Sequence, residues 1–204
     1  MIRVEIDKES LDAITEIINI GVGRSASLLN QMTNSNIRLR VPKIFVIRFK
    51  ELADTNWSLF GEDVLSTVML EFQGNFSGLT AILFPPESAA SLVMLLSGEN
   101  DPKAEMDAIR VETLKEVGNI IINSVMGSIS NVLSQHLSFS LPVYYEGKPS
   151  SIASTRRTIG DDDCVIVAHT QFMIESRNIE GKILILLEVG SLESLVESLH
   201  SAYR

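Results

Sequence analysis

LDAITEIINIGVGRSASLLNQM, residues 11–32, and VETLKEVGNIIINSVMGSISNVL, residues 111–133, carry the same polar pattern inside two apolar-periodic stretches. The first reads Asp12-x3-Glu16-x2-Asn19-x22-Pro42, the second Glu112-x3-Glu116-x2-Asn119-x22-Pro142, so Glu, Asn and Pro recur at an offset of 100. Leu11, Ile14, Ile17, Ile18, Leu28 and Leu29 have helical spacing, and Leu114, Val117, Ile121, Ile122, Val125 and Ile129 repeat it. Residues three and four apart on a helix share a face, which places Asp12, Glu16 and Asn19 on one stripe and Glu112, Glu116, Asn119 and Asn123 on another. Asparagine is a poor mid-helix residue because its amide competes for the backbone. A merely solvated face would carry Lys, Glu, Gln or Arg, so the same Asn in the same slot twice points to two working surfaces.

The rest of the chain repeats around these helices. Asp7 or Ser10 caps the first helix, which runs to about Thr33, where Met32 reads as core. Gly21 and Gly23 within it signal close approach of another backbone or a partner, since each costs roughly 1 kcal/mol of helix stability. IRLRVP is a strand stopped by Pro42, and KIFVIRF is a second one. LSTVMLEFQ and LTAILFP form a hairpin around Gly74–Gly78, and Pro86 opens a helix. Asp101–Pro102 opens a short helix before the second long one, about 107–135. VYYEG and SIASTR are weaker strands or loops, and Asp161–Asp163 form a loop tip. VIVAHTQFMIES and GKILILLEV pair around Arg177–Asn178, and Ser191 caps a final helix. Gly78, Ser88, Leu92, Val93 and Leu96 match Gly181, Ser191, Leu195, Val196 and Leu199 at an offset of 103. The expected fold is therefore α+β: a single domain over 1–204, built of two pseudo-symmetric helix–strand–hairpin–helix repeats, about 1–102 and 103–204. Its long helices pack on a mainly antiparallel sheet, because neither half has core enough alone.

Composition narrows the function. The 204 residues are 45% hydrophobic and 21% charged, with net charge −9, which suits a globular protein and disfavours nucleic acid and anionic membrane surfaces as partners. No apolar run nears the roughly 20 residues of a membrane span, and the first residues lack a signal-peptide pattern, so a cytoplasmic location is expected. Cys164, the sole cysteine, lies in a β-branched run and reads as a buried strand residue. His136, His169 and His200 are scattered without metal-ligand spacing. Trp57 reads as a lid over the core. No nucleophile, cofactor motif or metal cluster accompanies the Glu–Asn pairs. An asparagine amide does offer an acceptor and two donors, enough to orient a water molecule toward a phosphorus, and a glutamate can pair with a partner's lysine.

The doubled spacing, with Glu16-Ile17-Ile18-Asn19-Ile20-Gly21-Val22-Gly23 followed by the small residues Ser25, Ala26 and Ser27, resembles the CheC–CheX–FliY family of chemotaxis phosphatases over essentially the whole chain. Within it the resemblance is to the CheC type, which carries both sites and no further domain. It implies dephosphorylation of the phosphoaspartate of a CheY-type response regulator. Asn19 and Asn119 would orient the attacking water, and Glu16 and Glu116 would dock on the receiver's lysine. Asp12 fits the motif's first position, whereas Glu112 departs from its Asp or Ser. Mg²⁺ would belong to the receiver, with no cofactor or metal held by this chain. The resemblance also raises the deamidase CheD as a partner. The alternative is a non-enzymatic adaptor that binds a receiver, CheD or a flagellar switch component through the same helices.

Overall fold

The computed structural model describes the chain except residues 1–5, 34–35, 55–56, 58–59, 61–63, 98–107, 156–159, 161, 175–176, 189 and 203–204. In chain order the elements are α1 (Lys8–Thr33), β1 (Ile37–Arg48), α2 (Phe49–Asp54), β2 (Leu65–Gln73), β3 (Gly78–Phe84), α3 (Pro86–Ser97), α4 (Ala108–Val132), β4 (Ser138–Phe139), β5 (Val143–Gly147), β6 (Cys164–Ile174), β7 (Arg177–Leu187) and α5 (Ser191–Ala202). A 3₁₀ segment, Pro149–Thr155, precedes β6. The architecture is the expected α+β, with helices on an antiparallel sheet.

The sheet interleaves the two halves of the sequence. Its order is β1-β6-β7-β3-β2-β4, with β5 also on β2, so the outer strand of each half pairs with a strand of the other half. Lys43 pairs with His169, and Val143 with Met69, the same pair seen from the opposite repeat at the offset of 100. At the centre Ala81 pairs with Leu184, its own counterpart at the offset of 103. The pseudo-twofold therefore runs between β3 and β7.

Two cores flank the sheet. On one face α1, α3, α4 and α5 bury Ile17, Ile18, Ile121, Ile122, Leu92 and Leu195 against Val68, Phe72, Ile82, Phe84, Ile166 and Ile185. On the other, Phe49, Leu52, Trp57, Phe60 and Ile152 cover Leu79, Ala81, Leu83, Val165, Val167, Leu184 and Leu186. β3 lies between these cores, and its run Gly78–Phe84 is buried at every position. Trp57 is a buried lid, 3% exposed, against Phe49 and Phe60.

Several sequence readings change. Pro42 does not end a strand: β1 continues through it, and its register on β6 shifts between Arg40 and Lys43, a bulge that absorbs the missing N–H. The corresponding break at Pro142 does split the second copy, into β4 and β5. SIASTR is neither strand nor open loop; Pro149–Thr155 is helical and drives Ile152, 0% exposed, into the second core. Arg177 and Asn178 belong to β7, paired with Ile174 and Met173, and so are strand and not turn. Asp163 is buried: its Oδ2 accepts from the Gly160 N–H, and its carbonyl accepts from that of Phe49. Met32 is 62% exposed, on the same side of α1 as Leu28 four residues earlier, while Leu29 between them faces the core. Asp7, not Ser10, caps α1, its Oδ1 accepting from the Ser10 N–H at 2.8 Å. The short helix expected after Asp101–Pro102 lies outside the described residues. No described helix is long and apolar enough to cross a membrane.

Candidate functional site

The two long helices pack directly on one another, and glycine permits it. A Cβ on Gly21 would stand 2.5 Å from the Val125 Cα and 2.8 Å from the Ser124 carbonyl oxygen, closer than atoms approach. Arg24 reinforces the crossing, donating from Nη1 to Ser128 Oγ at 3.2 Å. On α4, Gly118 admits Val68 of β2 equally closely. Gly23 has open space where its side chain would be, and so belongs to the exposed stripe.

This packing leaves the polar stripes facing solvent. Asp12, Glu16, Glu112 and Glu116 are exposed, and Asn19 and Asn119 are half-buried at the base of their stripes. Glu16 and Glu116 enter no ion pair among the described residues. Glu112 takes the Lys115 ammonium at 2.8 Å, a contact with no counterpart in the first copy, where Thr15 occupies the position. The Ile20 side chain, 39% exposed, lies beside the first pair, with Leu28 and Met32 further along α1.

The two asparagines are held differently. Asn19 Nδ2 donates to the Thr15 carbonyl at 3.0 Å, and its Oδ1 accepts from the Val41 N–H at 3.3 Å. Val41 lies in the bulge of β1, where the register on β6 shifts. The motif's distant proline thus acquires a physical role: Pro42 holds the residue before it extended, and the helix asparagine takes up the Val41 N–H. Asn119 makes no such bond among the described residues; its Oδ1 accepts instead from Asn123 Nδ2 at 2.7 Å. Leu141, the counterpart of Val41, is 85% exposed, whereas Val41 is 6% exposed. The structural duty of Asn19 was not visible in the sequence, where only the 22-residue spacing hinted at it.

An asparagine amide has two donor hydrogens and two acceptor lone pairs. The bonds of Asn19 use one of each, leaving one N–H and one lone pair. Asn119 retains both hydrogens and one lone pair. Either residue can accept from a water and donate to a neighbouring oxyanion. The remaining titratable groups stand apart: burial raises the Cys164 thiol to about 11, and His200 contacts Ser10 Oγ at 3.1 Å on the far side of α1's first turn. Among the described residues no three His, Cys, Asp or Glu side chains are grouped to hold a metal ion.

Comparison with known proteins assigns the chain. The family model for chemotaxis phosphatase CheX matches residues 66–168, just over half of the chain, and that of the CheC-like family matches residues 9–46. Each match takes in one copy of the Glu–Asn pair. CheY-P phosphatase CheC of Bacillus subtilis is 30% identical over 141 residues, 67% of this chain and 66% of that protein. The crystal structure of Thermotoga maritima FliY has the same fold, with a TM-score of 0.79 at 19% identity over 98% of this chain and 100% of that one. CheX in its complex with CheY, BeF₃ and Mg²⁺ from Borrelia burgdorferi aligns at a TM-score of 0.53 and 17% identity, over 85% of this chain and 99% of that one. With matches on both halves and a shared fold, the chain belongs to the CheC–CheX–FliY family of chemotaxis phosphatases.

Proposed function

We propose that this chain dephosphorylates the phosphoaspartate of a CheY-type response regulator, using Asn19 and Asn119 to orient water and Glu16 and Glu116 to dock. The observation that carries this reading is the pair of exposed stripes, each ending in an amide with a free donor and a free acceptor. The family membership and the CheX relative crystallised with CheY support the choice of partner. The receiver brings the acyl phosphate, its Mg²⁺ and its lysine. The asparagine carbonyl accepts a hydrogen of the water, whose oxygen bonds to phosphorus as the P–O bond to the aspartate carboxyl breaks. The aspartate leaves as a carboxylate, and the water's protons pass to phosphate and solvent. No group on this chain is consumed, so positioning supplies the acceleration. The glutamate carboxylate, one helical turn away, meets the receiver's ammonium and fixes the register of docking. On this reading the protein works in the cytoplasm, where its receiver is.

Mixing the protein with a phosphorylated receiver and Mg²⁺ and following decay of the phosphoaspartate tests the proposal. Accelerated decay is expected, with loss of acceleration in the Asn19→Ala/Asn119→Ala double variant. Binding with unchanged decay would support the adaptor instead.

A further inference from the structure

The two copies of the motif hold their asparagines by exchanging one part. A side-chain amide turns on a broad, roughly two-fold torsion, so an unsupported asparagine presents its oxygen or its nitrogen with little preference. Orienting a water requires one end to be fixed. In the first copy the fixed atom is Oδ1, on the Val41 N–H at 3.3 Å, and the bond from Nδ2 to the Thr15 carbonyl completes the hold. The residue one turn further on is Gly23, which has no side chain to contribute and open space where one would stand. The second copy lacks the strand's help. Its strand breaks between Phe139 and Val143, and Leu141, in the slot of Val41, is 85% exposed. In the slot of Gly23, at the offset of 100, stands Asn123, whose Nδ2 donates to Asn119 Oδ1 at 2.7 Å.

The same atom is therefore anchored in both copies, by a backbone donor in one and a side-chain donor in the other. Where the backbone supplies the donor, the position four residues on is bare; where it does not, that position carries an amide. Polar residues four apart on a helix ordinarily make a minor surface contact. This pair is different in its setting, because Asn119 and Asn123 are both half-buried. A second mid-helix asparagine also costs helix stability that a glutamine or lysine would not. The bond takes one lone pair of Asn119 Oδ1 and leaves the other, with both amide hydrogens, for a water and an oxyanion.

We propose that Asn123 is a positioning residue of the second site, holding the Asn119 amide in one orientation toward the attacking water, the task that the β1 backbone performs for Asn19. This role rests on the phosphatase function proposed for the chain. Asn19→Ala confines turnover to the second site. In that background Asn123→Leu, which keeps the volume and removes the donor, should lower kcat for phosphoaspartate release at least about tenfold and leave KM within about twofold. Asn123→Gln, which returns an amide donor four residues from Asn119, should recover most of the loss. A merely structural role would move stability or KM and would not separate Leu from Gln. NMR spectra of the receiver-free protein give a readout independent of turnover: the Asn119 side-chain amide signals should shift in Asn123→Leu and return toward their wild-type positions in Asn123→Gln. Undiminished kcat in a folded Asn123→Leu protein, a loss that Asn123→Gln does not repair, or unmoved Asn119 signals would overturn the proposal. So would an inactive Asn19→Ala protein beside an active wild type, since the second site would then do no work. A wild type that leaves the decay of the phosphoaspartate unchanged would instead defeat the phosphatase function itself, and this role with it.

Discussion

Asn19 has two employments in this structure, and single substitutions separate them. Its Oδ1 satisfies the Val41 N–H while its amide hydrogens face Thr15 and the stripe. Asn19→Ala leaves that N–H without its partner and is expected to cost about 1–2 kcal/mol of stability. Asn119→Ala breaks only a contact to Asn123 on its own helix and should cost under about 0.5 kcal/mol. Thermal melts of the two variants check the difference; equal losses would mean that the β1 contact does not hold Asn19. Asn19→Asp keeps the acceptor for Val41 and loses the donors, so it should restore most of the stability while leaving the first site inactive. Glu16→Gln and Glu116→Gln should raise KM for the phosphorylated receiver more than they lower kcat, with the gap narrowing in salt. Cys164, 7% exposed with its thiol raised to about 11, should alkylate at pH 8.5 at least about tenfold more slowly in the native protein than in urea. The sign for stability follows: the neutral thiol suits the folded state, so that contribution is present below about pH 9 and lost as pH rises toward 11.

Between elements, the α1–α4 crossing is set by one missing side chain. A Cβ on Gly21 meets the Val125 backbone at 2.5 Å, and a backbone cannot swing aside as a side chain can. Gly21→Ala is expected to cost about 1–3 kcal/mol by forcing the helices apart. Gly23→Ala, two residues on with nothing in its way, should instead stabilise by up to about 1 kcal/mol through helix propensity. Denaturant midpoints measured side by side give the sign of each; destabilisation of both by the same amount would defeat the crossing argument. β1 and its counterpart show how one motif gives two outcomes. Pro42 sits in a bulge of a continuous strand, whereas around Pro142 the strand breaks between Phe139 and Val143. The same proline lacks the same N–H in both; what differs is whether the preceding residue turns in, as Val41 does, or out, as Leu141 does.

For the molecule as a whole, the strand order removes independence from the halves. β1 closes the sheet on β6 and β5 closes it on β2, so each repeat alone would leave an edge unpaired and the face of its long helix uncovered. Chains cut between α3 and α4 should therefore show no cooperative unfolding when made separately and should recover it when co-expressed. A separately made half that melts cooperatively as a monomer would contradict the interleaved order. The same order puts both Glu–Asn stripes on helices of one layer, the arrangement expected of a protein that offers two docking surfaces.

Much of this was legible in the sequence because it is periodic. The 3.6-residue spacing gave α1 and α4, the turn residues of Gly74–Gly78 gave the hairpin, and the offsets of 100 and 103 gave the repeat. The polar stripe was legible for the same reason, since helical geometry alone places Glu16 beside Asn19. Tertiary contacts decided the rest. Whether Pro42 stops a strand depends on an acceptor 22 residues before Val41, and whether Met32 is core depends on which side of α1 meets the sheet. Asp163 is buried because a backbone N–H needs its carboxylate, and Ile152 because a second sheet face needs covering. Asn19 and Asn119 fill the same slot of the repeat, yet one is anchored by the backbone of β1 and the other by Asn123, because only the path of the strand decides whether a backbone N–H reaches the helix.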